Sequence, residues 1–178
     1  MLAGQINACP TVDDVKTGVR ITFGDGTYSI ISRDSAGAVT ETQHTSDGEV
    51  FVFESANGLL ETVYIEGDTQ DTFAYDFDTS DLLPLTPWTR VGGQQTLTDK
   101  TGEVVERVEF SYHTLGESTY RIGACIYPAV RVQTQYQFDV GATMVELTFL
   151  TDLQIPINAA YRAGGVVDIY RAVSIVAK

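Results

Sequence analysis

The sequence predicts an all-β fold: an antiparallel meander of about 12 strands, curled into a barrel or half-barrel, with a β-sandwich as the alternative and little helix. Three observations predict it. Val130, Val132, Thr134, Tyr136 and Phe138 alternate with polar residues over Val130–Asp139, the period of a strand with one dry face. The turn dipeptides Asp25-Gly26, Ala36-Gly37, Asp47-Gly48 and Asn57-Gly58 recur at hairpin spacing. No helical period survives beyond two turns.

Residues 1–16 read as an N-terminal arm and 17–178 as a single antiparallel β domain. Within the arm, Thr11 is placed to cap a helical turn through Val12–Val15. Strands follow over 19–23, 27–32, 39–45, 50–55, 59–66 and 72–77, joined by turns at Asp25-Gly26, Ser35-Ala36-Gly37, Asp47-Gly48, Asn57-Gly58 and 67–70. The connection 78–87 contains Pro84 and Pro87, which bar it from a sheet interior. Strands resume over 88–98, 104–113 and 119–127, the last ended by Pro128. In the next hairpin, a turn at Gly141-Ala142 pairs Phe138 with Val145 and Tyr136 with Leu147, placing the larger apolar residues on one face. Residues 152–162 read as irregular, with a helical turn at 158–160, before a last strand over 166–176.

The formal charge of −13 argues against nucleic acid, which requires a basic footprint, and against an anionic membrane surface. Twelve acidic residues and no Lys or Arg fall between Asp34 and Thr89, so one region carries most of that charge. No apolar run is long enough to span a membrane. The N-terminus lacks the basic and apolar regions of a signal peptide, which reads as a mature periplasmic or secreted chain whose export signal has been removed. Cys9 and Cys125 show no metal-ligand spacing; either they form one disulfide, which implies an oxidising compartment, or they are two buried thiols.

Catalytic motifs are absent, and no metal or cofactor is implied. Asp76–Asp81 loosely resembles a calcium loop but lacks its glycine and closing glutamate. Three other features stand out. Two-residue turns at Asp47-Gly48 and Asn57-Gly58 set Glu41, Glu54 and Glu61 side by side, a row that bulged loops or solvent would relieve and that otherwise suits a cation or a general acid. Leu83, Leu85 and Trp88 form one apolar loop and Leu153 and Ile155 a second; both suit plugs of the core or rims of an apolar ligand site. Arg171 shares a face with Val167 and Ile169, either snorkelling to water or anchoring an anionic head group.

The layout of strands is similar in a general way to exported lipid- and lipoprotein-carrier half-barrels, an analogy of fold that no motif carries. The sequence thus points to an exported, non-enzymatic β protein that binds an apolar small molecule or a lipidated or protein partner. Its alternatives are a structural or interaction module with a filled core and a carboxylate-dependent hydrolase.

Overall fold

The computed structural model describes residues 8–178. Its first element is a short helix, α1 (Val12–Thr17), ahead of a run of hairpins. The Thr11 amide and hydroxyl both donate to the Asp14 carboxylate, at 2.7 and 2.8 Å, which fixes the helix start. The first seven residues of the expected N-terminal arm lie outside the described ones.

Six strands follow in quick succession: β1 (Val19–Phe23), β2 (Tyr28–Arg33), β3 (Val39–His44), β4 (Val50–Ser55), β5 (Glu61–Glu66) and β6 (Thr69–Tyr75). A connection with a 3-10 turn at Thr79–Leu82 leads to β7 (Arg90–Asp99), β8 (Val104–Ile122), β9 (Cys125–Phe138), β10 (Gly141–Leu150) and β11 (Ile155–Ala163). The chain ends with β12 (Val166–Ile169) and β13 (Ala172–Ala177). Among the described residues these make one 13-stranded antiparallel sheet in which neighbours in sequence pair from β12 back to β1, and β13 adds beyond β1. The sheet stays open, with β12 and β13 as its edges, so the architecture is a half-barrel and nearly all-β. No described helix is long and apolar enough to cross a membrane.

The curl is visible in the core. Val19, Ile21 and Phe23 of β1 and Ile175 of β13 share a buried cluster with Ile122 of β8, Tyr127 of β9 and Ile155 and Ile157 of β11. In the sheet's ladder those groups stand many strands apart, so they meet only because the sheet folds over itself. A second cluster is built on Phe110 and Tyr112 of β8, Val130 and Val132 of β9 and Phe149 of β10. Cys9 and Cys125 are disulfide-bonded, tying the segment before α1 to the tip of the β8–β9 hairpin. The Tyr127 hydroxyl strengthens that tie by donating to the Pro10 carbonyl at 3.2 Å.

Several boundaries differ from expectation for identifiable reasons. Pro128 does not end a strand; it lies inside β9 opposite Thr119. A strand residue points its N–H and C=O to the same side, and the Pro128 carbonyl accepts from Thr151, beyond the last β9–β10 ladder pair, so the missing N–H removes no bond to β8. Residues 155–163 form β11 rather than a loop with a helical turn, because β10 offers a full edge for pairing. The expected last strand is two: β12 pairs with β11, and after Tyr170-Arg171 the chain crosses to the opposite edge to pair with β1 as β13.

The hairpin register also shifts. Residues 24–26, 35–37, 46–48 and 100–102 are three-residue loops ending in a glycine with positive φ, closed by paired bonds such as Thr45 N–H to the Glu49 carbonyl at 3.0 Å. Each moves its pairing by one residue relative to a two-residue turn. In the β9–β10 hairpin the turn is Asp139-Val140, not Gly141-Ala142, so Tyr136 opposes Thr143 and Thr134 opposes Val145. That slip is even-numbered, which keeps Phe138 and Val145 on the same face.

Candidate functional site

The two core clusters do not fill the concave side of the sheet. Between them the inner faces of β3–β7 and β9–β11 enclose an open cavity of about 480 Å³. Val39, Phe53, Phe73, Phe138, Val145 and Leu147 supply apolar wall. Tyr161 and Tyr170 stand at the side where the chain crosses between the sheet's edges. Its volume lies in the range of small-molecule sites. The side chains of β3–β6 are mostly half-buried because they border this space rather than a packed core.

Two carboxylates face into it. On β3, Val39, Glu41 and Gln43 point inward, and the Ser29 hydroxyl of β2 donates to Glu41 Oε1 at 2.5 Å. Glu61 opens β5 opposite Ser55. The loop before it fixes that position: Leu59 and Leu60 dive into the second cluster, Ser55 Oγ accepts from Gly58 N–H at 2.8 Å, and Asn57 Nδ2 donates to the Thr79 carbonyl at 2.6 Å. Tyr75 donates to the Glu61 backbone carbonyl at 2.9 Å and accepts from Gln95 Nε2 at 2.8 Å, leaving the Glu61 carboxylate without a hydrogen-bond or ion-pair partner among the described residues.

Water reaches both carboxylates through the cavity, yet protein encloses them on the other sides. That enclosure, with the Glu41 charge added, pushes the Glu61 carboxyl up to about 7. Glu41 is raised as well, by burial, against the opposing bond from Ser29. Tyr136, at the same spot, is held far above the usual phenol range, first by burial and then by Tyr75 and Glu61. Among the described residues no Lys, Arg or His lines the cavity.

The structure places the residues singled out in the sequence as follows. Glu41 and Glu61 come together in the cavity, but Glu54 opposes Thr40 and Val63 and lies exposed on the outer face, so the row of three becomes a pair. The three-residue loop ending in Gly48 causes the change, since it opposes Glu41 with Phe53. Leu83 and Leu85 pack on the second core cluster, whereas Leu153 and Ile155 are buried in the first, so the two loops do not share a rim. Trp88 is 78% exposed, has φ 66°, and lies over Gly116 on the outside of β8. Arg171 is exposed and does not line the cavity. Among the described residues no group of three or more His, Cys, Asp or Glu is placed to hold a metal ion.

Sequence reasoning found one wall of the cavity, the Tyr136, Phe138, Val145 and Leu147 face, through its alternation. It missed Phe53, Phe73, Tyr161 and Tyr170, which nothing in their local sequence separates from ordinary core aromatics.

No protein-family model and no curated protein matches the chain. Among solved structures it is similar to the crystal structure of the hypothetical lipoprotein YmcC from Escherichia coli (K12), at 8% identity over 96% of this chain and 90% of that one, with a TM-score of 0.48. At that score the likeness carries no argument about function.

Proposed function

We propose that this chain is a non-enzymatic binding protein of an oxidising, extracytoplasmic compartment, whose half-barrel holds an apolar small molecule or the lipid chain of a lipidated partner. The observation that carries the reading is the open cavity of about 480 Å³, walled by aromatic and aliphatic side chains where a filled β core would have continued. The Cys9–Cys125 bond supports the compartment, since disulfides persist where thiols are not kept reduced. It also occupies the Cys9 sulfur, which is then not free to carry a lipid.

A structural module would have this space packed, and its absence of packing favours the binding reading. A carboxylate hydrolase would now rest on Glu41 and Glu61 alone, with Glu54 on the outer face. Native mass spectrometry tests the proposal. The protein, isolated from an exporting host without detergent, is expected to show a one-to-one adduct that organic extraction removes. Absence of any adduct, both as isolated and after incubation with long-chain alcohols, would count against it.

A further inference from the structure

We propose that the molecule held in the cavity carries a cationic head group, an ammonium on an apolar chain, seated between Glu41 and Glu61. This rests on the cavity being a ligand site and adds the chemistry of the ligand's polar end.

Three observations lead there. The Glu61 side chain lines the cavity, where it is open to water, and its carboxylate has no hydrogen-bond or ion-pair partner among the described residues. Glu41 and Glu61 share the cavity as like charges, and a cation between them relieves that repulsion where a neutral group does not. Among the described residues the lining contains no Lys, Arg or His, so an anionic head group would meet two carboxylates and no counter-charge there. Phe53, which opposes Glu41, and Tyr136 line the same cavity, and aromatic rings attract an ammonium electrostatically. Among the described residues no third His, Cys, Asp or Glu joins the pair in a group that could hold a metal ion. The segment 34–89, with twelve acidic residues and no basic one, adds a field that draws cations toward this side of the sheet.

The same geometry makes binding pH-dependent. The titratable groups facing Glu61 are Glu41 from β3, Tyr64 from its own strand, Tyr75 from β6 and Tyr136 from β9. The phenols stay protonated at neutral pH, so the acid pair sets the response. A cation binds the ionised pair, so affinity rises as Glu61 loses its proton.

Displacement of the neutral dye Nile red by decyltrimethylammonium, decanol and decanoate, at constant ionic strength, tests this. The ammonium is expected to bind about tenfold tighter at about pH 8 than at about pH 6, while decanol is unaffected by pH. Glu61→Gln should weaken the ammonium about tenfold and leave decanol unchanged. Glu54→Gln, which removes the same charge from the outer face, should do neither. Equal loss in both variants would mean attraction by net charge alone and would overturn the proposal. Decanol or decanoate binding as tightly as the ammonium would also overturn it, with the cavity reading left intact. Failure of Nile red to bind would overturn both. Near-ultraviolet circular dichroism identifies a variant that has lost its fold, in which case Glu41→Gln serves as the second test, with the same weakening expected.

Discussion

At Glu61, burial and the Glu41 charge hold a carboxyl proton to about 7 from an ordinary 4.5, and the consequence for stability has a definite sign. Below the ordinary value both folded and unfolded chains are protonated. As pH rises toward 7, the unfolded chain releases a proton that the folded chain keeps, so stability is lost over that interval and levels off above it. Glu41 is shifted in the same direction and adds to the loss. Water in the cavity screens the effect, which leaves about 1 kcal/mol for Glu61. Urea midpoints at about pH 5 and about pH 8 are therefore expected to differ less in Glu61→Gln than in the wild type; an identical pH slope in both would contradict the assignment.

Gly58, which lines the cavity, has φ 79°, and a Cβ there would sit 3.1 Å from Pro156 Cδ and 3.2 Å from Val39 Cγ2. Gly58→Ala should cost about 1–3 kcal/mol from backbone strain and crowding, read as a lower melting temperature. The carboxylates show how far single residues could be read in advance. Turn spacing pairs Glu41 with Glu54 and Glu54 with Glu61, whereas Glu41 opposes Phe53 and Glu61 opposes Ser55, so the two share the cavity through a register that the spacing did not give. That Glu54 would leave the group was not readable either, because one added loop residue moves a side chain to the other face.

The hairpins were readable as hairpins, and their loops were not readable as loops. Asp25-Gly26 and Asp47-Gly48 suit a two-residue turn and equally suit the last positions of a three-residue loop; the bonds that choose between them lie in the flanking backbone. The face of the β9–β10 hairpin survived a slip in register because alternation constrains parity, not pairing. Strand β11 escaped notice because its partner edge, not its own sequence, recruits it.

The disulfide acts on this level too. Cys9 and Cys125 are 116 residues apart, and closing so long a loop restricts the unfolded chain by about 4–5 kcal/mol on chain-entropy arithmetic. The paired substitution Cys9→Ser and Cys125→Ser, or a reductant, should lower the urea midpoint substantially while the far-ultraviolet β signal persists below it. An unchanged midpoint would show that the tie adds nothing to the fold.

Over the molecule, one sheet curls until its ends meet in a shared core at one end and part around a cavity at the other. Half-buried strands β3–β6 are the signature of that division, and the mixed polarity of Val39, Glu41 and Gln43 on one inner face is its trace in the sequence. The outward acidic residues and the inward pair together account for why the most negative segment of the chain borders the site. The all-β, curled architecture could be read from spacing and alternation. The cavity could not, since an unfilled interior and a filled one call for the same alternation in the strands that surround them.

Equilibrium binding of Nile red to the wild type and to Val145→Trp decides whether the cavity takes a ligand, because Val145 lines its wall and the indole would occupy its space. Saturable one-to-one binding with a blue-shifted emission is expected in the wild type and is expected to be lost in a Val145→Trp protein that retains its melting temperature. No binding by the wild type, or equal binding by a folded Val145→Trp, would contradict the proposed binding in the cavity.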